Sequence, residues 1–176
     1  DVDRIRVGAE YLDVGGLAGA LQSSALLDGQ WGEALAELSP YGGLVNAQLE
    51  LSLPAASAPD FRFRAGMVDV SASPWRRAPG VRNARGYLEI TPRGGFADID
   101  SGATSLEFPH LYHDELEFDR IAGRVHWERD AGGLRVGSEL LRAVTGGTGI
   151  DASFAIDFRK DPAADALIAD YEDNGG

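Results

Sequence analysis

Residues 120–143 have the sequence RIAGRVHWERDAGGLRVGSELLRA, and they show the clearest strand pattern in the chain. Its apolar side is formed by Ile121, Gly123, Val125 and Trp127, and its polar side by Arg124, His126 and Glu128. Successive side chains of a β-strand point to opposite faces, so this alternation predicts a strand with one apolar and one polar face. Residues 130–133, Asp-Ala-Gly-Gly, are typical of a turn, and the stretch therefore predicts an antiparallel hairpin.

The same period of two recurs on both sides of this hairpin. It predicts strands over residues 4–14, 44–53, 61–72, 85–91, 96–100, 104–108, 115–119 and 150–158, with a hairpin turn at 92–95. After Phe61 and Phe63 the apolar face changes to Val68 and Val70, which predicts a β-bulge near Gly66. The glycine-rich residues 145–151 lack the lysine of a phosphate-binding loop and precede a strand pattern, so they predict a turn.

Residues 17–39 follow a helical period instead. Leu17, Leu21 and Ala25 fall on one helical face, and the next apolar residues recur at intervals of three and four, at Trp31, Ala34, Leu35 and Leu38. Asp28 is suited to cap the second segment, which Pro40 and the pair Gly42-Gly43 would end. The pattern predicts two short helices or one interrupted helix.

These elements predict a mainly β fold, a curved antiparallel meander of nine or ten strands with a small helical insertion near the N-terminal third. Residues 1–160 are expected to form one β-rich domain, and residues 161–176 an acidic tail or a marginal terminal strand. Two small helices would cover only part of the apolar face. We therefore expect the sheet to form a groove or a half-open barrel.

Composition excludes several classes of function. The chain has 176 residues, 44% of them hydrophobic, and a formal net charge of −12, which disfavours nucleic-acid binding. The absence of cysteine excludes disulfides and thiol chemistry. The chain begins at Asp1 and has no apolar run that would span a bilayer, so we expect a piece of a longer protein with any anchor outside it.

The most conspicuous polar motif is HLYHDE, residues 110–115. His110 and His113 are three residues apart, a spacing that brings two metal ligands together on a helix but separates them on a strand. The flanking strand patterns therefore predict a polar connector. DIDSG, residues 98–102, has Gly102 where a calcium loop needs an oxygen ligand, and it is expected to be a strand ending in a Ser-Gly turn.

We predict no catalytic residue, metal ligand or cofactor. The sequence has no Gly-x-Ser-x-Gly elbow, and its acidic residues mostly alternate with apolar ones, as on a solvated strand face. A carbohydrate- or metal-binding hydrolase domain stays open as an alternative.

The apolar stripes are the stronger candidate for a functional surface. Either they form an ordinary β core, or they bind an apolar ligand, and periodicity alone does not separate the two. The residues predicted to face a groove are Val45, Leu49, Leu51, Leu88, Ile90, Ile121, Val125, Trp127, Phe154, Ile156 and Phe158.

The order of motifs from residue 12 to residue 158 resembles the AsmA-like YhdP family of Gram-negative envelope proteins. The resemblance rests on GYLEITPRGGFADIDS, on the Leu-x-x-Pro-x-Leu-like segment 106–111, and on LEFDRIAG followed by WER. Two upstream segments also resemble the family. Its short helix, the break and the strand that follows correspond to LLDGQWGEALAELSPYGGLVNAQLEL, and its connector corresponds to PWRRAPGVRNARGYLEI. These motifs contain no catalytic signature.

The resemblance implies a segment of a periplasmic protein that is anchored in the inner membrane and conducts phospholipid toward the outer membrane. Its implied partners are phospholipid acyl chains and neighbouring repeats of the same full-length protein, with membrane contact through parts outside this chain and no cofactor. A structural or protein-binding β module with a self-sealed core remains the first alternative.

Overall fold

The computed structural model describes residues 3–23, 29–53, 60–75, 78–108, 114–130, 133–160 and 167–171. Their helices and strands are, in chain order, β1 Asp3–Asp13, α1 Val14–Ser23, α2 Gly29–Leu38, β2 Tyr41–Leu53, β3 Asp60–Ala72, β4 Gly80–Thr91, β5 Gly94–Glu107, β6 Leu116–Asp130, β7 Gly133–Thr145, β8 Thr148–Lys160 and β9 Leu167–Tyr171. The mainly β class and the helical insertion are both confirmed.

All nine strands form one sheet in the order of the sequence, each antiparallel to the next. Pro92-Arg93 and Gly146-Gly147 are two-residue turns between neighbouring strands, at two of the places where turns were predicted, and residues 131–132 of the turn predicted at 130–133 lie outside the described residues. No pairing joins β1 to β9 among the described residues, so the sheet is an open meander.

Three local predictions were wrong. Residues 104–108 and 115–119 were expected to be short separate strands, but β5 runs unbroken to Glu107 and β6 runs from Leu116 to Asp130. DIDSG does not end in a turn, because Ser101 and Gly102 lie inside β5. Ser101 and Gly102 are paired with residues of β6, Ser101 with Ile121. The hydrogen bonds between β5 and β6 keep the backbone extended at these two residues.

The bulges with left-handed backbone lie in β2 to β5, and further register shifts occur where β7 pairs with β6 and with β8. Non-glycine residues with positive φ, between 50° and 58°, occur in four successive strands at Asn46, Asp69, Asn83 and Ala103. The bulge predicted near Gly66 therefore lies a few residues further on, where pairing with β4 is irregular between Met67 and Val70. Asn and Asp tolerate the left-handed conformation better than other non-glycine residues, and bulges increase the local twist of a sheet.

Buried hydroxyls satisfy the backbone groups that the bulges leave unpaired. The Ser71 hydroxyl accepts from the Asn83 N–H at 3.0 Å, and Ser101 accepts from the Arg85 N–H at 2.7 Å. Thr104 donates to a β4 backbone carbonyl at 2.6 Å. Because a buried backbone group without a partner is costly, these hydroxyls stabilise the irregular part of the sheet.

The two helices are confirmed where they are described. The Asp13 carboxylate accepts a hydrogen bond from the Gly16 N–H at 2.6 Å and so caps the N-terminus of α1. The predicted cap Asp28 and the apolar residue Ala25 lie outside the described residues, as does the Trp31 side chain. Helix α2 ends at Leu38, whose carbonyl accepts from the Ser73 N–H at 2.8 Å and so ties this helix to the β3–β4 connection.

The core consists of two clusters on one side of the sheet. The first contains Leu44, Ala47, Ala65 and Met67 and is covered from α1 by Val14 and Leu17. The second contains Ala34 of α2, Trp75, Ile156 and Phe158. Trp75 precedes β4, yet its ring stacks on Phe158 of β8 with 5.6 Å between centroids. In a flat sheet β4 and β8 would lie about 19 Å apart, so this stacking fits a curved sheet over which the connection before β4 reaches toward β8.

Candidate functional site

The register places apolar residues in one row across the whole sheet. Directly paired residues of antiparallel strands point to the same side, so each pair extends the same face. We call the eight residues Val7, Leu49, Phe63, Ile90, Gly95, Trp127, Val136 and Ile156 the apolar row; they are paired in this order from β1 to β8. Ile156 is paired in turn with Tyr171 of β9. The row contains no polar or charged side chain.

Ten of the eleven predicted groove residues lie on the face that contains this row. The apolar row includes Leu49, Ile90, Trp127 and Ile156, and the same alternation and pairing place the others beside it, at Leu51, Leu88, Ile121, Val125, Phe154 and Phe158. We call this side the apolar face. A role for these residues in binding stays a prediction at this point.

Val45 lies on the opposite face. It is paired with Tyr11, which is exposed, and with Gly66, where an added Cβ would come within 2.9 Å of Val45 Cγ2. Asn46 follows Val45 with φ 51°, and this bulge residue reverses the alternation, so that Leu44 and Ala47 both point into the core. A strict period of two puts Val45 and Leu49 on one side, which is why the sequence pattern misplaces Val45.

The helices cover only part of the apolar face. Leu88 packs against the cluster under α1, and Phe154 against the cluster under α2. Ile90 and Trp127 belong to neither cluster and are partly exposed. The Trp127 ring lies on Gly95, where an added Cβ would come within 2.7 Å of its Cζ2 atom. An apolar strip in the middle of the sheet is therefore left between the two helix-covered regions.

The list of predicted groove residues omitted some members of this face. Phe61 and Phe63 continue it in β3, Ile99 in β5, and Leu134 and Val136 in β7. Each shows the expected alternation within its own strand. The sequence pattern does not give the pairing between strands. Only that pairing shows which strands have their apolar sides on the same face of the sheet.

The opposite face is charged and internally paired. Arginines of β6 and β7 form two-point contacts with aspartates on adjacent strands: Arg124 with Asp98, Arg120 with Asp100, Arg135 with Asp157 and Arg142 with Asp151, at 2.6 to 3.0 Å. Arg124 also lies over the Phe96 ring, 4.2 Å from its centroid. We call this side the charged face.

These contacts shift the pKa values of the carboxyl groups. The hydrogen bond from Arg124 lowers the pKa of Asp98 from its ordinary value, and Arg120 lowers the pKa of Asp100 in the same way. Arg142 lowers the pKa of Asp151. All three groups are held ionised, and none resembles a general acid, which would need a raised pKa.

The candidate metal motif gains no support from the residues that are described. His110 and His113 lie outside them. Glu115 accepts from the Ser105 hydroxyl at 2.9 Å and pairs with Arg82 at 2.7 Å. Across the described ranges, no three His, Asp or Glu side chains come together in a group that would hold a metal ion.

This geometry defines a class of protein: an open, curved antiparallel sheet with one continuous apolar face and one paired, charged face. The YhdP protein family model matches residues 2–173, so the chain belongs to the YhdP family. The intermembrane phospholipid transporter YhdP of Escherichia coli (strain K12) is 23% identical to it over 134 residues. That match covers 76% of this chain and 10% of the relative's length.

No solved structure matches the chain. Within the described residues, neither helix has the length and hydropathy that crossing a membrane requires.

Proposed function

We propose that this chain is a segment of a periplasmic, bridge-like protein anchored in the inner membrane, and that its apolar face binds phospholipid acyl chains and conducts them toward the outer membrane. The observation that carries the proposal is the apolar row, which crosses from β1 to β8 without a polar side chain. The similarity to the E. coli relative, an intermembrane phospholipid transporter, supports the choice of ligand.

The dimensions of the row suit an acyl chain. Seven spacings of about 4.8 Å give a row of about 34 Å, longer than the roughly 15 Å of hydrocarbon in one bilayer leaflet. Burial of apolar area contributes about 25 cal/mol per Å² and needs no fixed partner atoms. A chain can therefore move along this face without losing a specific contact.

The two faces of the sheet have different roles in this proposal. The charged face satisfies its own charges through cross-strand pairs such as Arg124–Asp98 at 2.6 Å, so it remains stable in water. The apolar face offers no ionisable group at the register positions of its row, and a phospholipid headgroup would stay in water at the open side. We propose no catalytic role. Neighbouring repeats and membrane contacts would come from parts of the protein outside this chain.

Photocrosslinking from adjacent positions of one strand tests the proposal. A photoreactive amino acid replaces Ile90, on the apolar row, or Glu89, which precedes it on the charged face. The chain is exported to the periplasm of a Gram-negative host, irradiated and analysed by mass spectrometry. We expect phospholipid adducts from position 90 and few or none from position 89. Equal yields from the two positions would contradict a lipid-binding apolar face.

A self-sealed structural or protein-binding module is the second candidate. The observation that favours it is the pair of clusters in which α1 and α2 already cover parts of the sheet. If no lipid adduct forms from position 90 and no phospholipid accompanies the purified chain, this candidate replaces the first.

A further inference from the structure

One buried hydroxyl on the apolar face differs from the others. Among the described residues, the buried polar side chains are Ser71, Ser101, Thr104, Ser105 and Ser138. The first four are hydrogen-bonded to backbone groups or to Glu115. Ser138 is 3% exposed, and within the described part of the chain its Oγ atom has no hydrogen-bond partner.

The register places Ser138 on the apolar face. It is paired with Phe154 of β8 and lies two residues from Val136, a member of the apolar row. Phe154 and Val136 both pack against the cluster of Ala34, Trp75 and Phe158. The hydroxyl therefore lies in an apolar wall, beside the part of the sheet that α2 covers.

A buried hydroxyl without a partner destabilises the state in which it is found. Removing a hydroxyl from water without replacing its hydrogen bond is unfavourable, and buried polar groups nearly always have partners. The other four buried hydroxyls follow this rule, because each has a bond to make within the fold. Ser138 makes no hydrogen bond within the described fold, so we look for its partner in a ligand.

We infer that the Ser138 hydroxyl is a polar anchor that donates a hydrogen bond to an ester carbonyl oxygen of a diacyl glycerophospholipid. The inference rests on the proposed function. Ester carbonyls are the polar atoms attached directly to acyl chains, so they reach the apolar face whenever the chains lie on it. A phosphate is charged and would lose far more hydration in this wall.

Access to Ser138 requires a local opening. Ser138 is 3% exposed and is paired with Phe154, which packs against the α2 cluster, so we expect a lipid to reach the hydroxyl when that packing loosens. Binding then supplies the hydrogen bond that the covered state lacks. Ser138 thus links the entry of a lipid ester to movement of the α2 cover.

The experiment compares two soluble, short-chain phosphatidylglycerols that differ only in having ester or ether links to their chains. Their affinities for the chain are measured by titration calorimetry below the micellar concentration. One neutral hydrogen bond changes an affinity by about three- to tenfold, so we expect the diester to bind that much more tightly. In Ser138→Ala the two affinities become equal.

Ser101→Ala is the matched control, because it removes a buried serine hydroxyl that has partners inside the fold. It should lower the thermal midpoint and keep the ester preference, whereas Ser138→Ala should lose the preference without lowering the midpoint. Equal binding of diester and diether to the parent chain would overturn the anchor and leave the proposed function intact. A Ser138→Ala chain that kept the full ester preference would also overturn it. No binding of either lipid would overturn both proposals.

Discussion

Gly86 shows how one backbone position shapes the apolar face. Its φ is 150°, and an added Cβ would overlap the backbone carbonyl of Asp98 in the next strand. Gly86 is paired with Met67 and Ile99. It contributes no side chain between these two apolar side chains. Glycine is the residue that adopts this conformation without steric cost.

We expect Gly86→Ala to lower the free energy of unfolding by about 2 kcal/mol or more, because the new methyl group meets backbone that has no rotamer to change. Gly149→Ala is the control, since nothing lies within 4 Å of the Cβ added there. Urea denaturation of both variants measures the difference. Equal losses of unfolding free energy in the two variants would show that the backbone at Gly86 can relax.

At the scale of the elements, neighbouring strands are joined on the charged face by arginine–aspartate pairs. These pairs lie at 2.6 to 2.8 Å between β5 and β6 and between β7 and β8. Apart from Asp157, whose side chain is 17% exposed, these residues are exposed, and exposed pairs contribute little singly. Their clearest effect is on how stability depends on pH.

The lowered pKa values of Asp98, Asp100 and Asp151 fix the direction of that dependence. The folded state binds fewer protons than the unfolded state between the folded and unfolded pKa values. The stabilisation is therefore present above the ordinary carboxyl pKa of about 4 and is lost as the pH falls through the folded values.

We expect the thermal midpoint to fall when the pH is lowered below about 4, and to fall less steeply in the triple variant Asp98→Asn, Asp100→Asn, Asp151→Asn. Calorimetry from neutral to acidic pH measures both slopes. Added salt should reduce the difference between the two proteins, since it screens exposed charges. Parallel slopes for variant and parent would refute a contribution from these pairs.

At the scale of the whole molecule, the contact between Trp75 and Phe158 links parts of the chain that are far apart in sequence. It brings the β3–β4 connection and α2 onto β8, and Phe158 is 3% exposed. The same cluster covers one part of the apolar face, whereas Ile90 and Trp127, which are partly exposed, lie outside both clusters. How much of the apolar face is covered therefore depends in part on this packing.

We expect Phe158→Ala to lower the free energy of unfolding by about 3 to 5 kcal/mol, the usual cost of truncating a buried aromatic residue. Ile150→Ala in the same strand is the control, with 50% of its surface exposed and an expected loss of about 1 kcal/mol. Chemical denaturation measures the losses, and near-ultraviolet circular dichroism reports the Trp75 environment. Similar losses from the two variants would mean that the cluster does not hold the curved sheet together.

The amino-acid sequence by itself determined the class of fold, the helical insertion and most of the strand faces. Alternation along a strand is local, so Ile121, Val125 and Trp127 were assigned to one side correctly. Tight turns are also local, and those at 92–93 and 146–147 follow from their own residues. Membership of the YhdP family was likewise contained in the order of short motifs, and the family match confirms it.

Only the tertiary structure decided which apolar sides coincide and which remain open. The bulge at Asn46 reverses the alternation of side chains in β2, so that Val45 lies opposite the apolar face. The sequence pattern of β2 does not predict this change. Trp75 and Phe158 are far apart in the chain but stack on each other, and Ser138 is notable only because nothing in the described fold satisfies its hydroxyl. The physical reason is the same in each case: register, packing and hydrogen-bond satisfaction depend on partners distant in sequence, whereas alternation depends on the strand alone.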